Sequence, residues 1–163
     1  MFRIVRIRKN KGFTLIELII VMALLGIVLA IASPNFMRYR QNTNLREATE
    51  DFTAQIAFYK QRAIAEDIRY RIAINLDASE YSVERNPLPE TPDVYVPLVP
   101  AVTKKFNQYS SQIIVVSAPV SIVMQPRGTL TAGTLVLRHT GTQRRAEIVT
   151  HLSGRVNVEY KDS

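Results

Sequence analysis

The sequence predicts an α+β protein, with a long N-terminal helix packed on a compact antiparallel β domain. Three observations predict it. Residues 15–32 form an apolar run of helical length. Residues 45–63 repeat apolar side chains at helical spacing. From Tyr70 the period drops to two, and glycines punctuate short β-rich runs.

Residues 1–12 are basic and free of acids, with Arg3, Arg6, Arg8, Lys9 and Lys11. The run at 15–32 holds one charge, Glu17. As a helix it spans about 27 Å, close to the hydrocarbon thickness of a bilayer. Positive residues before it predict a cytoplasmic N-terminus and an exported remainder. An ordinary signal peptide has a shorter apolar run, no acid and a small-residue cleavage site, which Ala30-Ile31-Ala32 fits only loosely. A plain anchor leaves Glu17 unexplained, because a charged group deep in a bilayer costs about 2.5–3.5 kcal/mol.

Ser33-Pro34-Asn35 interrupts the run, and proline inside a helix removes a hydrogen bond and bends it. The helix resumes to about Asp67. Leu45, Ala48, Phe52, Ile56, Tyr59 and Ala63 lie three or four apart, and most nearby charges fall off that stripe. The stripe reads as the face that packs on a sheet. Ile72, Ile74 and Leu76 then alternate with Arg71, Ala73 and Asn75, Asp77-Ala78-Ser79 makes a turn, and Tyr81 and Val83 continue a second strand. Residues 86–100 hold five of the eight prolines and read as a loop or an extended edge. Strands are expected at 112–117, 120–124, 134–138, 145–152 and 155–160.

The chain has 163 residues, 47% of them hydrophobic, which is enough for one core. It has no cysteine, so disulfides, Cys-ligated metals and thiol nucleophiles are excluded. The two histidines, His139 and His151, lack neighbouring acids at metal spacing and read as surface or half-buried strand residues. Ser110-Ser111 lacks a nucleophile elbow, no phosphate-binding loop appears, and Glu66-Asp67 reads as a solvated helix end. No enzyme and no cofactor is expected. Of the net charge of +7, the first twelve residues supply +5. Residues 35–103 carry −2 and residues 104–163 carry +5, so attraction to an anion is local to the C-terminal third.

Lys11-Gly12-Phe13-Thr14-Leu15-Ile16-Glu17 resembles the prepilin signal of type IV pilins and type II secretion pseudopilins. Pro126-Arg127-Gly128, Gly133-Thr134-Leu135 and Gly154-Arg155-Val156 together resemble the looser C-terminal pattern of the GspH/FimT branch. The resemblance implies cleavage between Gly12 and Phe13 by a prepilin peptidase and methylation of the new N-terminus at Phe13. It makes Glu17 the fifth mature residue, which meets a neighbouring subunit's ammonium during filament assembly. It implies a helix kink at Pro34 and two antiparallel sheets. The resulting division is a leader at 1–12, a transmembrane and assembly segment at 13–34, an amphipathic continuation at 35–68 and a periplasmic β domain at 69–163.

The implied role is a minor pseudopilin or minor pilin, single-pass in the bacterial inner membrane. Its partners would be other pilin or pseudopilin subunits and the inner-membrane assembly platform. A type II secretion pseudopilus, a type IV pilus and a DNA-uptake system share the N-terminal signal and all stay open. A second reading is a FimT-like DNA-binding minor pilin, with Arg144, Arg145 and Arg155 as phosphate contacts. Some FimT-like proteins carry a Gly-Arg-x-Arg segment for this. Here Gly154-Arg155-Val156-Asn157 has asparagine in place of the second arginine, and asparagine carries no charge.

Overall fold

The structure, a computed structural model, describes residues 13–88, 90–91 and 94–162. The expected leader at 1–12, Gly12 included, lies outside the described residues. One long helix, α1 (Leu15–Glu66), is followed by eight strands in two antiparallel four-stranded sheets. The chain divides into two compact units, one ending at Met37 and one beginning at Arg38.

In the second unit the helical stripe is the core face, as its spacing predicts. Leu45, Ala48, Phe52, Ile56, Tyr59 and Ala63 are all buried. Phe52 packs edge-on against Tyr81 at 5.0 Å and tilted against Phe106 at 5.1 Å. Burying a side chain of that size stabilises by about 1.5–3 kcal/mol. Beside these rings Lys104 Nζ donates to Asp51 Oδ1 at 2.8 Å. The Tyr81 hydroxyl reaches Asp51 Oδ2 at 3.4 Å. Burial first, and then the Asp51 charge, raise the Tyr81 phenol above its ordinary value.

The helix ends at Glu66, and Asp67 turns the chain with a φ of 54°. Glu66 does more than face solvent. Arg62 Nε donates to it at 2.5 Å and so does the Tyr70 hydroxyl, also at 2.5 Å. The Tyr70 bond first, then the Arg62 bond, hold its carboxyl below the usual range. Burial and that bond push the Tyr70 phenol up to about 12. Glu66 therefore ties the helix end to the first strand.

Strands β1 (Tyr70–Asn75) and β2 (Glu80–Arg85) form the expected hairpin. The Ala78 N–H donates to Asn75 Oδ1 across its turn at 3.1 Å. Leu76 falls in that turn and is exposed, so the alternation stops one residue early. β3 (Val96–Lys105) pairs with β2 and is a sheet edge, which tolerates Pro97 and Pro100. The chain then alternates between layers. β4 (Ile113–Ser117) opens the second sheet, β5 (Ser121–Met124) returns to the free side of β1, and β6 (Gly133–His139) crosses back. β7 (Arg145–Thr150) and β8 (Val156–Lys161) complete the order β4-β6-β7-β8. Leu135, Leu137, Ala146 and Ile148 face the core from this sheet, so its odd-numbered β7 positions and even-numbered β6 positions face out.

The glycines of the C-terminal pattern have a physical reason. A Cβ on Gly154 would stand 2.1 Å from the Gly128 carbonyl oxygen, and both residues have φ near +80°. Lys60 Nζ, from the helix, donates to the Gly154 carbonyl at 2.9 Å. The turns before β6 and before β8 thus meet the helix at one joint.

Candidate assembly segment and basic surface

The start of α1 is a capping box. Thr14 precedes the first helical residue, and Glu17 stands three further on. The Glu17 N–H donates to Thr14 Oγ1 at 3.3 Å, and the Thr14 N–H donates to Glu17 Oε2 at 3.4 Å. The carboxylate also lies at the positive end of the helix dipole. Glu17 therefore has a local task that a purely intermolecular reading misses. The Thr-x-x-Glu spacing of residues 14–17 is the signal that reveals it. Phe13, just before the box, is exposed.

Beyond the box the helix is apolar on every side. Large apolar side chains from Leu15 to Ile31 are 46–78% exposed. The segment has a mean hydropathy of 3.0 over a window in which nothing is buried, and it is long and apolar enough to cross a membrane. A helix apolar all round is stable when lipid or other protein surrounds it. Pro34 falls within α1, and the helix continues through it.

The C-terminal basic residues do not form one free patch. Arg144 is paired with Asp162, whose carboxylate raises the guanidinium's pKa. Lys161 reaches Glu147 at 2.5 Å and Glu159 at 3.3 Å. Arg155 sits at the Gly154 joint and is exposed. Asn157, in the place of a second arginine, lies 3.4 Å from His151 through its amide nitrogen. Arg127 lines a separate cleft with Asp67, Arg69 and Gln125. Arg145 lies opposite Arg138, across neighbouring strands.

His139 differs from the expected half-exposed histidine, because it is fully buried. Its Nδ1 accepts the Gly141 and Thr142 N–H groups at 3.2 and 3.3 Å and so shapes the β6–β7 turn. Burial lowers its pKa below the ordinary value. His151 is exposed in the turn before β8. Among the described residues no group of three His, Cys, Asp or Glu side chains can hold a metal ion.

Residues 7–33 match the prokaryotic N-terminal methylation motif, so the chain carries a prepilin-type signal. Over 58 residues it is 43% identical to the type IV major pilin protein PilA of Myxococcus xanthus (strain DK1622), covering 33% of this chain and 26% of that one. Over 56 residues it is 32% identical to the type II secretion system core protein G of Dickeya chrysanthemi, covering 32% and 37%. The chain thus spans 26–40% of the length of the curated relatives it matches. The fold resembles the minor pseudopilin EpsH from the type 2 secretion system of Vibrio cholerae, with a TM-score of 0.56 and 10% identity, over 71% of this chain and 96% of that one. It equally resembles the type IV minor pilin FimU of Pseudomonas aeruginosa, with a TM-score of 0.55 and 14% identity, over 74% and 92%. A prepilin-type signal and the fold of a minor pseudopilin and a minor pilin therefore meet in one chain.

Proposed function

We propose that this chain is a minor pseudopilin or minor pilin, a non-enzymatic structural subunit of a type II secretion pseudopilus or a type IV pilus. The observation that carries this reading is an apolar helix, exposed on all sides from Leu15 to Ile31, that begins two residues after Phe13 within a methylation motif. A prepilin peptidase cuts between Gly12 and Phe13, and Phe13 is N-methylated. The helix anchors the subunit in the inner membrane with its N-terminus cytoplasmic and its β domain periplasmic. The assembly platform then moves it into the filament beside other pilin or pseudopilin subunits.

In that filament the Glu17 carboxylate meets the ammonium at a neighbour's Phe13. Each charge alone is costly in an apolar core, and pairing offsets the cost and sets the axial register. Pro34 gives the helix a local bend at the membrane boundary.

Glu17→Gln separates the two tasks of this residue. Glutamine keeps a capping box but removes the charge. The variant is expected to insert, to be cleaved and to be missing from purified filaments. Recovery of Glu17→Gln in filaments at the wild-type level would refute the charge-pair role.

A further inference from the structure

The outer face of the second sheet carries a row of cations. Arg138 on β6 lies directly opposite Arg145 on β7, and Arg145 directly opposite Lys161 on β8. Like charges at such positions repel, and an acid among them ordinarily relieves the repulsion. Here the nearby acids are committed elsewhere. Lys161 holds Glu147 and Glu159, and Arg144 holds Asp162. Among the described residues no ion pair involves Arg138 or Arg145. Arg138 Nε is buried and has no hydrogen-bond partner. A buried guanidinium N–H without an acceptor is the kind of group a ligand completes.

These arginines line a cleft of about 280 Å³ with Val116, Val136 and Gln143. We propose that this cleft receives one carboxylate, from an acidic side chain of a neighbouring protein subunit. The inference rests on the subunit reading above and names where the β domain is docked. The guanidinium fork matches a carboxylate in two parallel hydrogen bonds. Val116 and Val136 offer an apolar wall to the methylene stem of a glutamate. The surroundings select a single anionic group over a polyanion. Glu147 and Glu159 occupy the adjoining row of the same face, and a phosphate backbone running beyond the cleft meets them.

Two measurements on the full chain test this. In neutral detergent, with ¹⁵N-labelled arginine, butyrate is titrated against the Arg138 Nε–Hε signal, with the Arg127 signal as control. A saturable shift at Arg138 that is lost in Arg145→Gln is expected. No shift with butyrate, or a shift with a short DNA duplex and none with butyrate, overturns the proposal. In cells, Arg145→Glu supplies a carboxylate from within the chain and fills the cleft without removing a core contact. Its recovery in filaments should fall about tenfold, the size of effect that loss of a modest interfacial ion pair produces. Recovery equal to wild type overturns the proposal while the subunit reading stands. If the wild-type chain is itself absent from filaments although the butyrate shift persists, the subunit reading fails, and with it the proposed source of the carboxylate.

Discussion

The two halves of α1 treat apolar side chains in opposite ways. From Leu15 to Ile31 the helix is apolar all round and its large side chains stay exposed. From Leu45 to Ala63 it is apolar on one stripe, and that stripe is 0–4% exposed. The second half is a tertiary element whose partner surface is the β domain of the same chain. The first half has no such partner in the described residues of its own unit, and an all-apolar helix of this kind is stable when lipid or other protein covers it. One helix thus has two kinds of surface, and its composition marks where one gives way to the other.

Substitutions should show the same division. Phe52→Ala removes a buried ring that touches both Tyr81 and Phe106. It should cost about 3–5 kcal/mol in urea unfolding of the β domain. Leu25→Ala, at a half-exposed position of the first half, should change the same transition by less than about 0.5 kcal/mol. Equal losses from both would break the comparison.

Gly154→Ala should come next, at about 2 kcal/mol, because it adds a Cβ against the Gly128 carbonyl and strains a left-handed backbone. A thermal melt within error of wild type would show that the joint yields. Asp51→Ala should cost about 1 kcal/mol, since the Lys104 partner is partly exposed and screened. Asp51→Ala and Lys104→Ala combined in a double-mutant cycle would isolate that pair, and additivity would mean it contributes nothing.

Much of this division is legible in the sequence, and the exceptions have causes. The stripe from Leu45 to Ala63 and the hairpin around Asp77-Ala78-Ser79 follow from local periodicity, which burial on one face enforces. β3 is hard to read because Pro97 and Pro100 look like loop residues, and only its place at the sheet edge makes them acceptable. The Arg138–Arg145 pair depends on cross-strand register, which no local pattern displays. His139 reads as a surface strand residue because its burial comes from the core face of β6, whereas its neighbour Arg138 points the other way. The capping task of Glu17 is legible in Thr14-x-x-Glu17, beside the separate signal of a charge inside an apolar run.

The smallest expected effect is a pH dependence. His139 has a depressed pKa in the folded chain, so the unfolded chain binds its proton more readily. The contribution is fully present above 6.5, the ordinary value, and is lost as pH falls toward the depressed one. Glu66 is lowered too, so its contribution is lost further down, below 4.5, as pH falls through its folded value. Melting temperatures recorded from pH 7.5 to 5.5 should decline in wild type and decline less in His139→Gln. An identical slope in both would remove His139 from the account.

Under the proposed function the first half of α1 is kept as an assembly segment, and Phe13, two residues before it, is the first residue of the mature chain. Intact-mass and N-terminal analysis of the protein from native membranes tests it most directly. A chain that begins at N-methylated Phe13 is the expected result. A chain that retains Met1, or one cut after Ala32, would contradict it.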